Sequence, residues 1–239
     1  YDLFPDSPSV IYPLAALAGF ASCVLMSGIR EEGINKKEPT TLVKPLDILK
    51  KRPDFRKFEI SYFLYGTGFM MMLPLLPLYL VDHLKVTYSQ ASFLNGLFYQ
   101  GMIVIFSWFM GRLTDRVHPL YLNKAGFAAL VFYPLSLSLA AGVLFAYPAY
   151  AWYGISMAVV NVSWYLAPLT FCHAREEASS FGALHVALAG ARAFIAFPLG
   201  TFLYSVSGTF WVPFLTSSSL FLVSSMIIPS PDKIIRSKK

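Results

Sequence analysis

Charge is scarce in this chain: 13% of its 239 residues are Asp, Glu, Lys or Arg, where a soluble globular protein spends about a quarter on them. The shortage excludes an ordinary soluble enzyme, and the hydrophobic content excludes disorder, which needs low hydrophobicity and high net charge. The two cysteines, Cys23 and Cys172, lie inside or at the edge of apolar runs, so neither a disulfide framework nor a zinc cluster is on offer. The histidines, His83, His118, His173 and His185, are scattered without metal-ligand spacing. No G-x-x-x-x-G-K-S/T phosphate cradle is present, and neither H-E-x-x-H nor G-x-S-x-G occurs. No ATPase site, no metal and no cofactor are therefore expected.

Hydrophobic side chains are what the chain has instead, 56% of the total, with a mean hydropathy of +0.57. Seven apolar stretches are long enough to cross a hydrocarbon core, at residues 10–29, 58–81, 91–110, 122–145, 149–171, 182–204 and 209–228; a helix needs about 20 residues for that crossing. None alternates polar and apolar as an outer-membrane strand does. The expected fold is all-α and polytopic, with seven transmembrane helices. The turns at Tyr147-Pro148 and Ser207-Gly208 are short enough to make their flanking helices antiparallel neighbours.

The net charge of +6 does not point to nucleic acid, because the charge lies between apolar segments. Lys and Arg flanking a span stay on the cytoplasmic side, and 17 of them fall on one side of the implied topology against Lys85 alone on the other. The amino end is expected outside and the carboxyl end in the cytoplasm, in a multi-pass protein of the plasma (inner) membrane. The first apolar stretch has acidic Asp2 and Asp6 before it and its basic cluster after it, the reverse of a secretory signal. Residues 30–57 hold nine basic side chains with Pro39, Pro45 and Pro53 and read as a cytoplasmic linker against anionic lipid heads, with a short interfacial helix around Pro45 to Arg52. The division is thus residues 1–29 (external segment and one helix), 30–57 (linker), 58–228 (six-helix bundle) and 229–239 (basic tail).

After the third stretch the chain reads Gly111-Arg112-Leu113-Thr114-Asp115-Arg116, then Val117-His118-Pro119-Leu120-Tyr121-Leu122. This resembles the G-x-L-x-D-R-x-G-R-x-x-x-L signature of the major facilitator superfamily, with Gly111, Leu113, Asp115 and Arg116 in register and His118-Pro119 in place of the usual Gly and Arg. The resemblance implies that the spans are helices six to twelve of a twelve-helix secondary transporter and that an amino-terminal half of a longer protein is missing here. It also implies that the loop braces one bundle against the other. Physically, Gly111 allows close helix approach, Asp115 can face a helix amino terminus, and Arg116 can clasp carbonyls or a carboxylate.

Ionisable residues within a span are expensive and therefore functional suspects. Arg192 lies about 15 Å into the sixth stretch at 1.5 Å per residue, with His185 seven residues earlier on nearly the same face. By the resemblance this is helix eleven, and Arg192 either holds an anionic substrate group, pairs with a carboxylate of the missing half, or bonds carbonyls and only fixes helix contacts. Cavity-lining expectations by the same mapping include Tyr65, with Tyr62 beside it, then Asn95, Tyr99 and Gln100, and Asn161, Trp164 and Tyr165. Asn95 with Tyr99, and Asn161 with Tyr165, are each spaced i, i+4 and share a face; Asn and Gln also serve as interhelical glue. No Asp or Glu lies near the centre of a stretch, so a titrating carboxylate is expected in the missing half.

The leading reading is transport of a small solute by alternating access, driven by an ion or substrate gradient. The substrate leans anionic by Arg192 and amphipathic by the aromatic spans; a coupling ion, membrane lipids and the missing half are the other partners. An intramembrane enzyme is the competing reading, with His185 and Ser179 or Ser180 its one weak catalytic pair, and a non-transporting scaffold or remnant is the third.

Overall fold

The computed structural model describes residues 7–27, 43–172 and 178–231. Arg30, Lys36, Lys37, Arg175, the tail residues Lys233, Arg236, Lys238 and Lys239, and the acidic start lie outside the described residues. The chain divides between Thr41 and Leu42. The first unit contributes one apolar helix, α1 (Ser7–Ser27), with Pro13 inside it.

The second unit is a helical bundle. Its opening helix α2 (Val43–Lys51) carries Lys50 and Lys51 in the last turn, where cations complement the helix dipole; it is the short helix expected beside Pro45 to Arg52. α3 (Pro53–Met72) begins on a proline, whose missing N–H would be unpaired there anyway, so this span starts five residues earlier than hydropathy placed it. Pro74 cannot donate to Met70, and the Leu73 amide bonds the Met70 carbonyl instead at 3.2 Å. The rod resumes as α4 (Leu75–Leu78) and a π-helical segment, Tyr79–His83. Its end is turned by Lys85 at a left-handed φ of 53°, with the Val86 amide closing on the Leu80 carbonyl at 3.0 Å.

The next span opens on a capping box: Thr87 accepts from the Gln90 amide and Gln90 accepts from the Thr87 amide. It runs through α5 (Tyr88–Phe93), a π segment (Leu94–Gly101) and α6 (Met102–Thr114). The departure of His118-Pro119 from the resembled signature has a local use. His118 Nδ1 accepts from the Leu120 amide at 3.3 Å and Pro119 takes the first helical position of α7 (Pro119–Leu130).

The expected fourth and fifth stretches are divided differently in the structure. α7 is separated by Val131 from α8 (Phe132–Ser138), because Pro134 has no N–H for the Leu130 carbonyl and the Val131 amide tightens onto Ala128 at 3.3 Å. The turn then falls at residues 140–142, not at Tyr147-Pro148, with Gly142 fully extended before α9 (Val143–Leu169); Pro148 sits inside that helix. The apolar run is unbroken across this corner, so hydropathy carries no mark of it. α10 (Ala178–Ser207) and α11 (Trp211–Ile227) complete the bundle, joined through Gly208 at a φ of 65°.

Among the described residues, four rods are long and apolar enough to cross a membrane: Pro53–His83, Tyr88–Thr114, Val143–Leu169 and Ala178–Ser207. The remaining expected stretches are met by α1, by the broken α7–α8 rod and by the 17-residue α11.

α3 is the hub, lying against both α10 and α11. With α11 it runs antiparallel, clasped by small hydroxyls: Ser61 donates to the Ser224 carbonyl at 2.8 Å, Ser224 to the Ser61 carbonyl at 2.7 Å, and Ser217 to the Gly68 carbonyl at 2.8 Å. Lipid tails are as apolar as leucine, so such contacts, with close backbone approach, hold membrane helices together. With α10 it runs parallel, and a side chain at Gly200 would run into the Met71 carbonyl.

Candidate functional site

α10 buries a narrow stripe of Phe181, Leu184, His185, Arg192, Ala196 and Gly200, and that stripe faces α3. Two of its residues are polar, and α3 answers each at the same register. His185 Nδ1 lies 3.0 Å from Glu59 Oε1, a separation of 126 positions; Arg192 meets Gly66, which is 126 positions away as well. The two levels are one heptad apart, about 10 Å along the helices at 1.5 Å per residue.

Arg192 is the fifteenth residue of the thirty in α10 and is 4% exposed. Its Nη1 donates to the Tyr62 carbonyl at 2.6 Å. The guanidinium fills the volume a side chain at residue 66 would need, so the glycine opens the α3 backbone to it. Its aromatic surroundings are Trp164, whose ring centroid lies 5.3 Å from the guanidinium carbon, and Tyr65, at 6.0 Å; ring faces attract cations. The carbonyl-bonded arrangement left open by the sequence is thus met by one nitrogen. Nε is buried with no hydrogen-bond partner, and no carboxylate stands within ion-pair distance of the guanidinium among the described residues.

Glu59 and His185 are 4% and 3% exposed. The imidazole is boxed by Trp164 at 4.4 Å, Tyr62 at 4.8 Å and Phe58 at 5.6 Å between ring centroids, and its Nε2 is a second buried nitrogen without a partner. Trp164 therefore touches both levels. His185 is engaged by Glu59 and by neither serine of the enzyme reading; Ser179 is exposed and Ser180 half-buried.

Behind this column Tyr62 donates to Asn123 Oδ1 at 2.7 Å, as Ser163 does at 2.5 Å, while Asn123 Nδ2 is buried without a partner. Tyr65 stacks on Phe127 at 4.4 Å, and its hydroxyl points at the Met157 sulfur.

The structure thus gathers Arg192, His185 and Tyr65 with Tyr62 and Trp164. The other sequence candidates stand elsewhere. Asn95, Tyr99 and Gln100 all fall in the Leu94–Gly101 π segment, where Asn95 and Gln100 are exposed and the Asn95 amide bonds back to Ala91. Tyr99 stacks on Tyr153 at 4.3 Å, which stacks on Tyr133 at 4.1 Å, a separate aromatic column. Asn161 and Tyr165 share an exposed face of α9, Tyr165 at 75%. In the signature loop Gly111, Leu113, Asp115 and Arg116 are all exposed. A side chain at Gly111 would meet open space, so no close helix approach occurs there among the described residues. Arg112 lies over Trp108 at 3.8 Å.

Sequence reasoning passed over Glu59, which the window boundary at residue 58 placed at the edge of a span, and over Asn123 and Ser163. The available signal was spacing: Glu59, Tyr62 and Gly66 fall on one α3 face at i, i+3 and i+7, matching the seven-residue step from His185 to Arg192.

No curated protein matches this chain. A family model described as Major Facilitator Superfamily matches residues 7–194. That match takes in α1 to α9 and the part of α10 that carries His185 and Arg192, and with a helical membrane architecture it establishes that the chain belongs to the Major Facilitator Superfamily of membrane transport carriers.

Proposed function

We propose that the chain moves a small solute by alternating access, driven by a gradient, and that Arg192 holds an anionic group of that solute while Tyr65, Tyr62 and Trp164 take its apolar part. One observation carries this reading: a guanidinium at the middle of a membrane span, with a buried, unpartnered Nε and, among the described residues, no carboxylate within ion-pair distance. Leaving such a group unsatisfied is expensive, and a ligand carboxylate or phosphate relieves the expense with a bidentate fit that suits Arg. The anionic and amphipathic leanings of the sequence then describe two ends of one ligand.

A second bundle opposite this one is part of the proposal. The windows within Tyr88–Thr114 and Ala178–Ser207 are only 6% and 17% buried, against 50% in the other two spans, so those two spans offer the faces a partner bundle would cover. Glu59 with His185 is assigned to a coupling proton, since both sit one heptad from Arg192 and share the Trp164 wall. The basic bias of the connecting segments supports a carboxyl end in the cytoplasm and residence in a plasma (inner) membrane.

The test is a thermal-shift screen of organic carboxylates, phosphates and sulfonates on the protein purified with whatever assembles on it. Stabilisation by one anionic class that vanishes in Arg192→Ala and persists in part in Arg192→Lys supports the reading. Equal stabilisation of wild type and Arg192→Ala removes the anion role.

A further inference from the structure

At the end of the bundle opposite the Arg112–Arg116 loop lies a cavity of about 380 Å³ that the transport reading does not use. It is framed by the π segment Tyr79–His83, by Ser138 at the end of α8, by Tyr204 near the end of α10, and by the Gly208–Trp211 turn. From its lining we infer a binding site for an organic cation, a quaternary or protonated amine, held by the Asp82 carboxylate against walls of Tyr79, Tyr204, Phe210 and Trp211.

The walls are built before any ligand arrives. Tyr79 donates its hydroxyl to the Leu137 carbonyl at 2.5 Å, which fixes its ring. His83 stacks on that ring at 5.1 Å, Phe210 meets it edge-on at 5.2 Å, and Tyr204 stacks on Phe210 at 4.5 Å. The left-handed φ of 65° at Gly208 turns the chain so that Thr209, Phe210 and Trp211 line the space.

The chemistry of the lining selects the ligand. Asp82 is exposed and makes no ion pair among the described residues, and no Lys or Arg belongs to the described lining. An anion would face that carboxylate with no cationic fork to receive it. A sodium or calcium ion needs several oxygen ligands, and rings dominate here. An alkylammonium satisfies both features, because aromatic faces attract it through their quadrupole and the carboxylate neutralises it. The volume exceeds that of the smallest such ions and falls in the range of small-molecule sites.

The test is saturation binding of radiolabelled choline to the chain in maltoside micelles, with 3,3-dimethyl-1-butanol, its uncharged isostere, as competitor. The expected result is saturable choline binding that the isostere fails to displace, weakened about tenfold in Asp82→Asn and in Tyr204→Ala. Short-chain phosphatidylcholine displacing label better than choline identifies a lipid headgroup as the natural source, and the reverse order identifies a free amine; both support the cation site. Absence of saturable binding, displacement by the isostere at the same concentration as choline, or unchanged affinity in Asp82→Asn overturns it. The isostere arm uses unaltered protein, so it decides the matter even where a variant fails to fold.

Discussion

The guanidinium of Arg192 stands where a side chain at residue 66 would have to be, and it uses that opening to reach the Tyr62 carbonyl at 2.6 Å. Gly66 and Arg192 are therefore one device on two helices. Gly66→Ala displaces the flexible guanidinium and leaves the backbone in place, so it is expected to abolish anion-dependent stabilisation as fully as Arg192→Ala. In the Arg192→Ala background Gly66→Ala has nothing to displace. A double-mutant cycle on thermal unfolding should return a coupling of about 1–3 kcal/mol, and additive effects would show the two positions to be independent.

Glu59 and His185 form a buried pair one heptad before Arg192 on the same helix contact. Removing one partner leaves the other desolvated, at about 3–5 kcal/mol, while removing both spares that term. Glu59→Ala and His185→Ala should each lower the unfolding temperature in detergent more than half as far as the double variant does. Strictly additive shifts would contradict a direct pair.

The serine clasp between α3 and α11 should be modest in energy. Each interhelical hydrogen bond in a membrane protein contributes about 0.6 kcal/mol, so Ser61→Ala with Ser224→Ala is expected to lose about 1 kcal/mol with little change in ligand-induced stabilisation. A severalfold larger loss, measured by denaturant titration in mixed micelles, would show that the hydroxyls position the α3 backbone beneath Arg192 as well.

Much of this arrangement was legible in the chain. Long apolar runs fix the helical class because an unpaired backbone is intolerable in lipid, and Arg192 and His185 stood out as polar side chains on one face of a span. Glu59 did not, because a hydropathy window registers depth and not register, and only the parallel pairing of α3 with α10 brings residues 126 positions apart to one level. The α8–α9 corner was invisible for a related reason: residues 139–146 are apolar on both sides of the turn, and the bend is written in Gly142, whose extended backbone precedes α9. Asn95, Gln100, Asn161 and Tyr165 were joined to Arg192 by the helix mapping that the resemblance implies, and in the structure they are exposed, apart from the buried column.

The most direct test of Arg192 as the anchor of a transported anion is counterflow in proteoliposomes. Protein purified with its native partners is loaded with an unlabelled anion from the class that stabilises it, and entry of the labelled form is followed in wild type, Arg192→Lys and Arg192→Ala. Rapid exchange in wild type, slowed exchange with a raised half-saturation concentration in Arg192→Lys, and none in Arg192→Ala is the expected outcome. Exchange in Arg192→Ala at the wild-type rate and half-saturation would contradict it and leave Arg192 as a helix-fixing residue alone.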